Sequence, residues 1–279
     1  WIKILAREPS SCLEFVCHYM NHIIQYFTLD LQYHLEKESY NNLPKPSVPQ
    51  SKTINNLSSD DNSRQTMFIS NLLDVYMSQI SVEKKLKNFE ASAKLIKNDF
   101  ISPSIQSVKD VIEEKILSTM SMKSLQLLDN LHSASEWSSD QISSEFDISL
   151  SNVALDQSVY VKEISNNIMQ MLQTLTQGSA LSSDIIRKWT TKTVETVVST
   201  YAKEIAKIPK LSKSGQEQLK TDIDYLINLL NVMDLDGGKD LSGILAVLSA
   251  ETSQRKEILS KSNMSPEIAL GIKKSLSII

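Results

Sequence analysis

WTTKTVETVVSTYAKEIAKIPKLSKSGQEQLKTDIDYLINLLNVMDLDGGKDLSGILAVL, residues 189–248, is the stretch whose reading decides the fold. Its second half carries Leu219, Ile223, Leu226, Leu230 and Met233 at alternating steps of four and three, the spacing of one buried helical stripe. Its first half keeps the same rhythm through Val194, Val197, Tyr201, Ile205 and Ile208. Pro209 stops that helix, because proline cannot donate the helical hydrogen bond and restricts the residue before it. Ser214 with Glu217 three residues later has the spacing of a capping box, which starts the second helix. The run from Asp234 to Gly238 ends it. So short a connection predicts two antiparallel helices packed along their stripes.

The remainder of the chain repeats the pattern. Leu13, Val16, Met20, Ile23, Phe27, Leu31 and Leu35 lie on one stripe after Pro9. Residues 37–64 follow, with Pro44, Pro46 and Pro49 and a Ser/Asn/Asp run; too little apolar surface is present to offset the entropy of ordering it, so a disordered loop is expected. Helical rhythm returns from about Gln65 to Asn98 (Ile69, Leu72, Tyr76, Ile80, Leu86, Phe89, Ala93, Ile96). It returns again from Ser102-Pro103 (Ile105, Val108, Ile112, Ile116, Met120), and Leu125 to Leu131 either continues that helix or bends away. Residues 133–152 read as an acidic, serine-rich loop with Trp137, Ile142 and Phe146 as its anchors. Leu155 to Leu175 is helical through Val161, Ile164, Ile168 and Met171. Short helices are expected at Leu241–Leu248, Glu251–Lys261 and from Ser265-Pro266; Gly243 and Gly271 weigh against them. The expected organisation is a helical end at 1–36, a loop at 37–64, a bundle at 65–132, a loop at 133–152 and a C-terminal bundle at 153–279.

Composition agrees. Six glycines and seven prolines in 279 residues are too few for a turn-rich β fold, and 41% hydrophobic residues suffice for a core. A net charge of −4, with no basic block interleaved with aromatics, argues against nucleic acid as a partner. No apolar run approaches the roughly 18–20 residues of a membrane span. Trp1 in place of an initiator methionine is expected of a piece of a longer protein. Cys12 and Cys17, five apart on a helical pattern, point to separate sides and are expected to be reduced.

The residues around the second helix carry a resemblance. Gln218-Leu219, the core Asp222-Ile223-Asp224-Tyr225-Leu226 and the apolar helix end after it resemble the C-terminal region of the family of subunit 7 of the conserved oligomeric Golgi complex. Trp189, Tyr201 and the Ile208-Pro209 stop resemble the family's preceding helix. The close likeness covers roughly a quarter of the chain, by the count of matching residues in sequence, and departs after Asp236, where Gly237 and Gly238 stand. The resemblance implies an all-α protein, an elongated helical rod or stack of antiparallel bundles of the kind found in multisubunit tethering complexes. It implies a scaffold at the cytosolic face of the Golgi with sister subunits as partners, and through them fusion, coat or small-GTPase machinery. Retrograde transport within the Golgi and retention of Golgi enzymes would follow. It implies no cofactor and no catalysis.

Chemistry is sparse in the residues themselves. His18 and His22 are four apart on one helical face, but the intervening residues lack the glutamate of a metalloprotease and no third ligand is near in sequence. Asp234-Leu-Asp236 opens like a calcium loop and fails at Gly238 and Lys239, where an oxygen ligand and the turn glycine belong. No phosphate-binding glycine loop and no nucleophile elbow occur. The structural and interaction candidates are Trp189, Tyr201, Leu219, Asp222, Ile223, Tyr225 and Leu226; catalytic, cofactor and metal residues are none. Asp222 stands out because it projects inside the apolar arc of its helix. A buried carboxylate needs partners. Tyr201, Lys203 or Lys207 of the preceding helix, or the free N–H groups of its own first turn, are expected to supply them, so that Asp222 fixes the register of the two helices. Two other classes fit the pattern without the resemblance: a tether of another complex, exocyst-like or of the endoplasmic reticulum, and a helical enzyme with a concave polar pocket.

Overall fold

The computed structural model describes residues 59–93, 101–134, 137–138, 156–177 and 181–278, and five single positions nearer the start of the chain, Tyr19, His22, Tyr26, Asp30 and Tyr33, all helical. The expectations for Cys12, Cys17, His18, the stripe from Leu13 to Leu35, and residues 37–58, 94–98 and 139–155 lie outside the described residues. Among the described residues there are eight α-helices and no strand, so the fold is all-α.

Two compact units form, divided within the second helix after Thr119. The first unit holds α1 (Ser59–Ala93) and the start of α2 (Ile101–Leu128). The two run antiparallel: Gln65 Nε2 donates to the Thr119 carbonyl at 2.6 Å, and farther along α1 Glu83 pairs with Lys109 at 3.1 Å. Ile69, Leu72 and Tyr76 of α1 and Val108, Ile112 and Ile116 of α2 are buried, at the positions the stripes select, and Leu73, outside the stripe, is buried with them. The Lys109 ammonium lies 5.9 Å from the Tyr76 ring centroid, a cation–π contact that covers the end of this stripe. α1 begins at Ser59, so residues 59–64, expected as loop, are helical.

The second unit comprises Met120–Gln177 and Ser182–Ile279. α2 stops at Leu128; Asn130 takes the left-handed conformation (φ 65°), a geometry asparagine tolerates better than most residues, and a 3-10 turn follows at Leu131–Ser133. The remaining helices are α3 (Val159–Gln177), α4 (Ser183–Ala206), α5 (Lys213–Val232), α6 (Lys239–Ser249), α7 (Arg255–Lys261) and α8 (Pro266–Ser275). Val161, Ile164, Ile168, Met171 and Leu175 of α3 are buried. So are Val194, Val197, Tyr201 and Ile205 of α4, and Leu219, Ile223, Leu226 and Leu230 of α5. A fully buried side chain of this size contributes about 1.5–3 kcal/mol relative to exposure, which identifies these stripes as the main stabilising term of the unit.

α4 and α5 run antiparallel, as expected, with Arg187 at the head of α4 paired to Asp234 at the close of α5 at 2.7 Å; other helices, however, come closer to each in backbone. The close backbone neighbours of α4 are α8, α3, α6 and the 3-10 turn; those of α5 are α6 and α3. The cause lies in the connection and in α8. Ile208 and Leu211 of the connection are themselves buried, and the Leu211 N–H donates to the Ser275 carbonyl at 3.0 Å, so the link is fastened to the end of α8 instead of turning tightly. α8 comes close to α4 because Gly271 abuts the carbonyl and Cβ of Ala206; a Cβ at 271 would overlap them. Gly243 of α6 is in the same situation against the Met264 side chain. Both glycines, which weigh against helix when the sequence is read locally, are where other elements approach.

Capping also differs from expectation at one end. The N-cap of α5 is Ser212, whose Oγ accepts from the Gly215 N–H at 3.0 Å, two residues before the expected Ser214. At the other end α5 closes at Asp234, as the sequence indicates. Asp234 is left-handed (φ 56°), Leu235 N–H reaches the Leu230 carbonyl at 2.9 Å, and Asp234 N–H reaches Asn231 at 3.1 Å, which is a Schellman closure. α8 ends the same way, with Ser277 at φ 52° and Ile278 N–H on the Lys273 carbonyl at 3.0 Å.

Trp137 anchors the segment expected as an acidic loop. It is 2% exposed, its indole N–H donates to the Leu131 carbonyl at 2.6 Å, and its own carbonyl accepts from Ser212 N–H at 2.8 Å. A Cβ at Gly215 would lie 2.7 Å from that carbonyl, so the first turn of α5 can approach Trp137 only as glycine.

Candidate functional site

Two of the residues singled out in the sequence, Asp222 and Tyr201, are joined at the start of α3, where it lies against α5. Asp222 is on the buried arc of α5 between Leu219 and Leu226, and is itself fully buried. Its carboxylate accepts four hydrogen bonds. Oδ1 takes Ser158 N–H at 2.8 Å and Gln218 Nε2 at 3.0 Å; Oδ2 takes Ser158 Oγ at 2.7 Å and Tyr160 OH at 2.9 Å. Four is the ordinary capacity of a carboxylate, so the desolvation cost of burying it is met by donors on every side.

Ser158 is the N-cap of α3: its carbonyl accepts from Val161 and Lys162 N–H. In an ordinary capping box the cap residue's own N–H is satisfied by a side chain three residues along the same helix. Here the side chain comes from another helix, 64 residues later in the chain. The first turn of α6 does the same for α8: Asp240 takes Ser265 N–H at 2.6 Å and Ser265 Oγ at 2.7 Å, and Ser265 is the N-cap of α8. Two helix starts are therefore each gripped by an aspartate from a neighbouring helix.

Tyr160 extends the network to α4. Its hydroxyl is 2.8 Å from that of Tyr201, the rings meeting edge to face at 6.0 Å between centroids. With Tyr160 donating to Asp222, Tyr201 donates to Tyr160. Burial pushes the Tyr160 phenol well above its ordinary range, with Tyr201 and the Asp222 charge adding to the effect. Burial, then the Asp222 charge, push Tyr201 up likewise, while its bond to Tyr160 works the other way. Both remain neutral at any ordinary pH, so the cluster holds donors in place and offers no base or nucleophile.

Of the sequence candidates, Trp189, Tyr201, Leu219, Asp222, Ile223 and Leu226 are fully buried and Tyr225 is half-buried. Asp222 reaches Tyr201 through Tyr160. It does not meet Lys203, which is exposed, or Lys207, whose ammonium lies on Glu204. Glu204 also holds His132 Nδ1 at 2.8 Å; burial draws its carboxyl up, but Lys207 and then His132 more than offset this, and it sits below the usual carboxylate range. The residues that sequence reasoning missed are Ser158 and Tyr160. The available signal was the serine just before Val161, a cap residue at the head of a stripe. Among the described residues no group of three or more histidine, cysteine, aspartate or glutamate side chains could hold a metal ion, and no helix is long and apolar enough to cross a membrane.

This network falls largely within a segment with known relatives. Residues 182–275 match the family model of Golgi complex component 7. Over 70 residues the chain is 31% identical to the conserved oligomeric Golgi complex subunit 7 of Mus musculus and to that of Bos taurus, and 30% identical to that of Rattus norvegicus. In each case the match covers 25% of this chain and 9% of the relative. No solved structure matches. The chain resembles subunit 7 of that complex across its last third, as the Asp222–Leu226 run indicates.

Proposed function

We propose that this chain is part of a subunit of a Golgi vesicle-tethering complex, acting as a helical scaffold that makes and breaks no bond. The observation that carries the proposal is the match of residues 182–275 to the Golgi component family, together with relatives named as its subunit 7. The partners are then the sister subunits of the complex, and beyond them fusion, coat or small-GTPase machinery. The setting is the cytosolic face of the Golgi, and the task is retrograde transport within the organelle and retention of its enzymes. What supports a scaffold is the distribution of polar chemistry in the matched segment. The buried Asp222 carboxylate is saturated by neutral donors, Tyr201 is held protonated, and the buried surface joins helix to helix. Within that scaffold Asp222 serves to hold α3 on α5 and, through Tyr160, α4. Trp189, Leu219, Ile223, Tyr225 and Leu226 serve the same core.

The test is affinity purification of the full protein carrying this chain from its own cells, with identification of what accompanies it. The subunits of the Golgi complex should co-purify in stoichiometric amounts, and the protein should lie on Golgi membranes by light microscopy. Recovery of an exocyst-like or endoplasmic-reticulum tether in their place would overturn the proposal.

A further inference from the structure

Where the end of α4 meets the end of α8, positive charge collects. Lys203, Lys207, Lys210, Lys213, Lys273 and Lys274 are all exposed. The Leu211–Ser275 hydrogen bond puts the residues just before each partner, Lys210 and Lys274, on adjacent backbone. The contact of Gly271 with Ala206 brings Lys207 and Lys273 to the same end. Lys207 is engaged by Glu204; for Lys203, Lys210, Lys213, Lys273 and Lys274 there is no carboxylate partner among the described residues. Glu204, the acid within this end of α4, is taken up by Lys207 and His132. The chain as a whole is acidic, at −4.

Lysines in a last helical turn complement the helix dipole, and that accounts locally for Lys203, Lys207, Lys273 and Lys274. It does not account for Lys210, which stands in the connection. Still less does it account for Lys213, at the first position of α5, where the dipole disfavours a cation. Six cations from the ends of three helices and the connection between two of them have been brought to one end of the unit, against their mutual repulsion.

We propose that this lysine face binds the anionic headgroups of a lipid surface. Three features favour a lipid surface over an acidic protein segment. All six side chains are lysine, a mobile point charge suited to a diffuse field of many anions; no arginine is present to grip one carboxylate in a fixed fork. The face is built of helix ends and a connection, with no single helix presenting an aligned row to a peptide. Leu270, 54% exposed, is one turn before Lys273 and Lys274 on the outward side of α8, an apolar side chain among the cations that can enter the headgroup layer.

The experiment is flotation of the 279-residue chain with vesicles of phosphatidylcholine, and of phosphatidylcholine with about a third phosphatidylserine, the latter giving the negative surface potential that attracts basic segments. Binding is expected to the acidic vesicles alone and to fall as salt rises. The triple variant Lys210→Glu, Lys273→Glu, Lys274→Glu should lose at least about tenfold of that binding. The glutamine triple at the same positions should lose less, and serves where glutamate at the end of α8 unsettles the fold. The triple Lys188→Glu, Lys192→Glu, Lys239→Glu, the same charge change near the head of α4 and the head of α6, away from the face, should bind as the parent does. No binding to acidic vesicles, or equal loss in both glutamate triples, would overturn the proposal. So would salt-dependent binding to polyglutamate with none to vesicles, which would assign the face to an acidic protein segment. Purified chain and vesicles suffice, so the outcome is independent of whether the tethering partners are those proposed above.

Discussion

At Asp222 a single side chain joins three helices, and its removal leaves donors stranded. Asp222→Ala takes the acceptor from Ser158 N–H and Tyr160 OH at a fully buried position of α5, while Gln218 Nε2 keeps the Asp156 carbonyl. Each buried group left unsatisfied costs about 1–3 kcal/mol, so denaturant unfolding should show a loss of at least that size. An unchanged midpoint would show that the network is dispensable. The phenols make a second prediction. Their pKa values are raised on folding, so the unfolded chain releases its phenolic protons first, from about pH 10 upward. The contribution is thus fully present below pH 10 and is lost as pH rises toward the folded values. Stability should fall between about pH 10 and 11 by up to roughly 1.4 kcal/mol per pH unit for each tyrosine. Tyr201→Phe should flatten that decline, as followed by denaturant midpoints across the range. The position of Asp222 on the buried arc could be read from helical spacing alone. Its partners could not, because they come from the head of a helix 64 residues earlier, and local spacing carries no information about which helix ends meet.

Among the helices, periodicity located the buried faces and the antiparallel run of α4 and α5, and missed how closely α8 approaches α4. Leu226→Ala, at a fully buried position of α5, should cost about 2–5 kcal/mol. Asn228→Ala, exposed and bonded to Asp224 alone, should change stability by no more than about 0.5 kcal/mol. Equal costs would mean the face has been misassigned. Gly271→Ala sets two effects against each other. Helix propensity would favour alanine by about 1 kcal/mol. The new Cβ, however, meets a backbone carbonyl of α4, which cannot turn aside as a side chain can, and overpacking of this kind costs typically about 1–3 kcal/mol. The variant should therefore be destabilised on balance, with a lowered thermal midpoint as the readout. The same contact lets α8 come closer to α4 in backbone than α5 does, because position 271 has no side chain. Read along the chain, a glycine in a helix counts against it; the reason for it lies in a helix some 65 residues earlier.

For the molecule as a whole, the segment with recognisable relatives is not the unit that folds. The family match begins at residue 182, but the second compact unit begins at Met120. Trp137 closes the first turn of α5, Ser158 and Tyr160 satisfy Asp222, and Val161 to Leu175 of α3 add to the same core. A chain cut to residues 182–279 should therefore lose cooperative unfolding, while 120–279 should keep it, as thermal melts followed by circular dichroism would show. Cooperative melting of the shorter piece would mean that α3 is an accessory. The all-α class was legible throughout, since every stripe has one period.

Trp137 and Ser158 have one more consequence, for chain length. Both are fastened to α5, Trp137 at Ser212 and Gly215 and Ser158 at Asp222. The stretch between them thus leaves and rejoins one helix at points about 10 Å apart, at 1.5 Å per residue. Ends fixed so close together make the cost of closure nearly independent of the length between them, because closing a loop costs only about 0.6 kcal/mol more for each doubling of its length. A small fluorescent domain inserted between residues 145 and 150 is expected to leave the thermal midpoint of the second unit nearly unchanged, and a lowered midpoint would show that the stretch adds packing of its own.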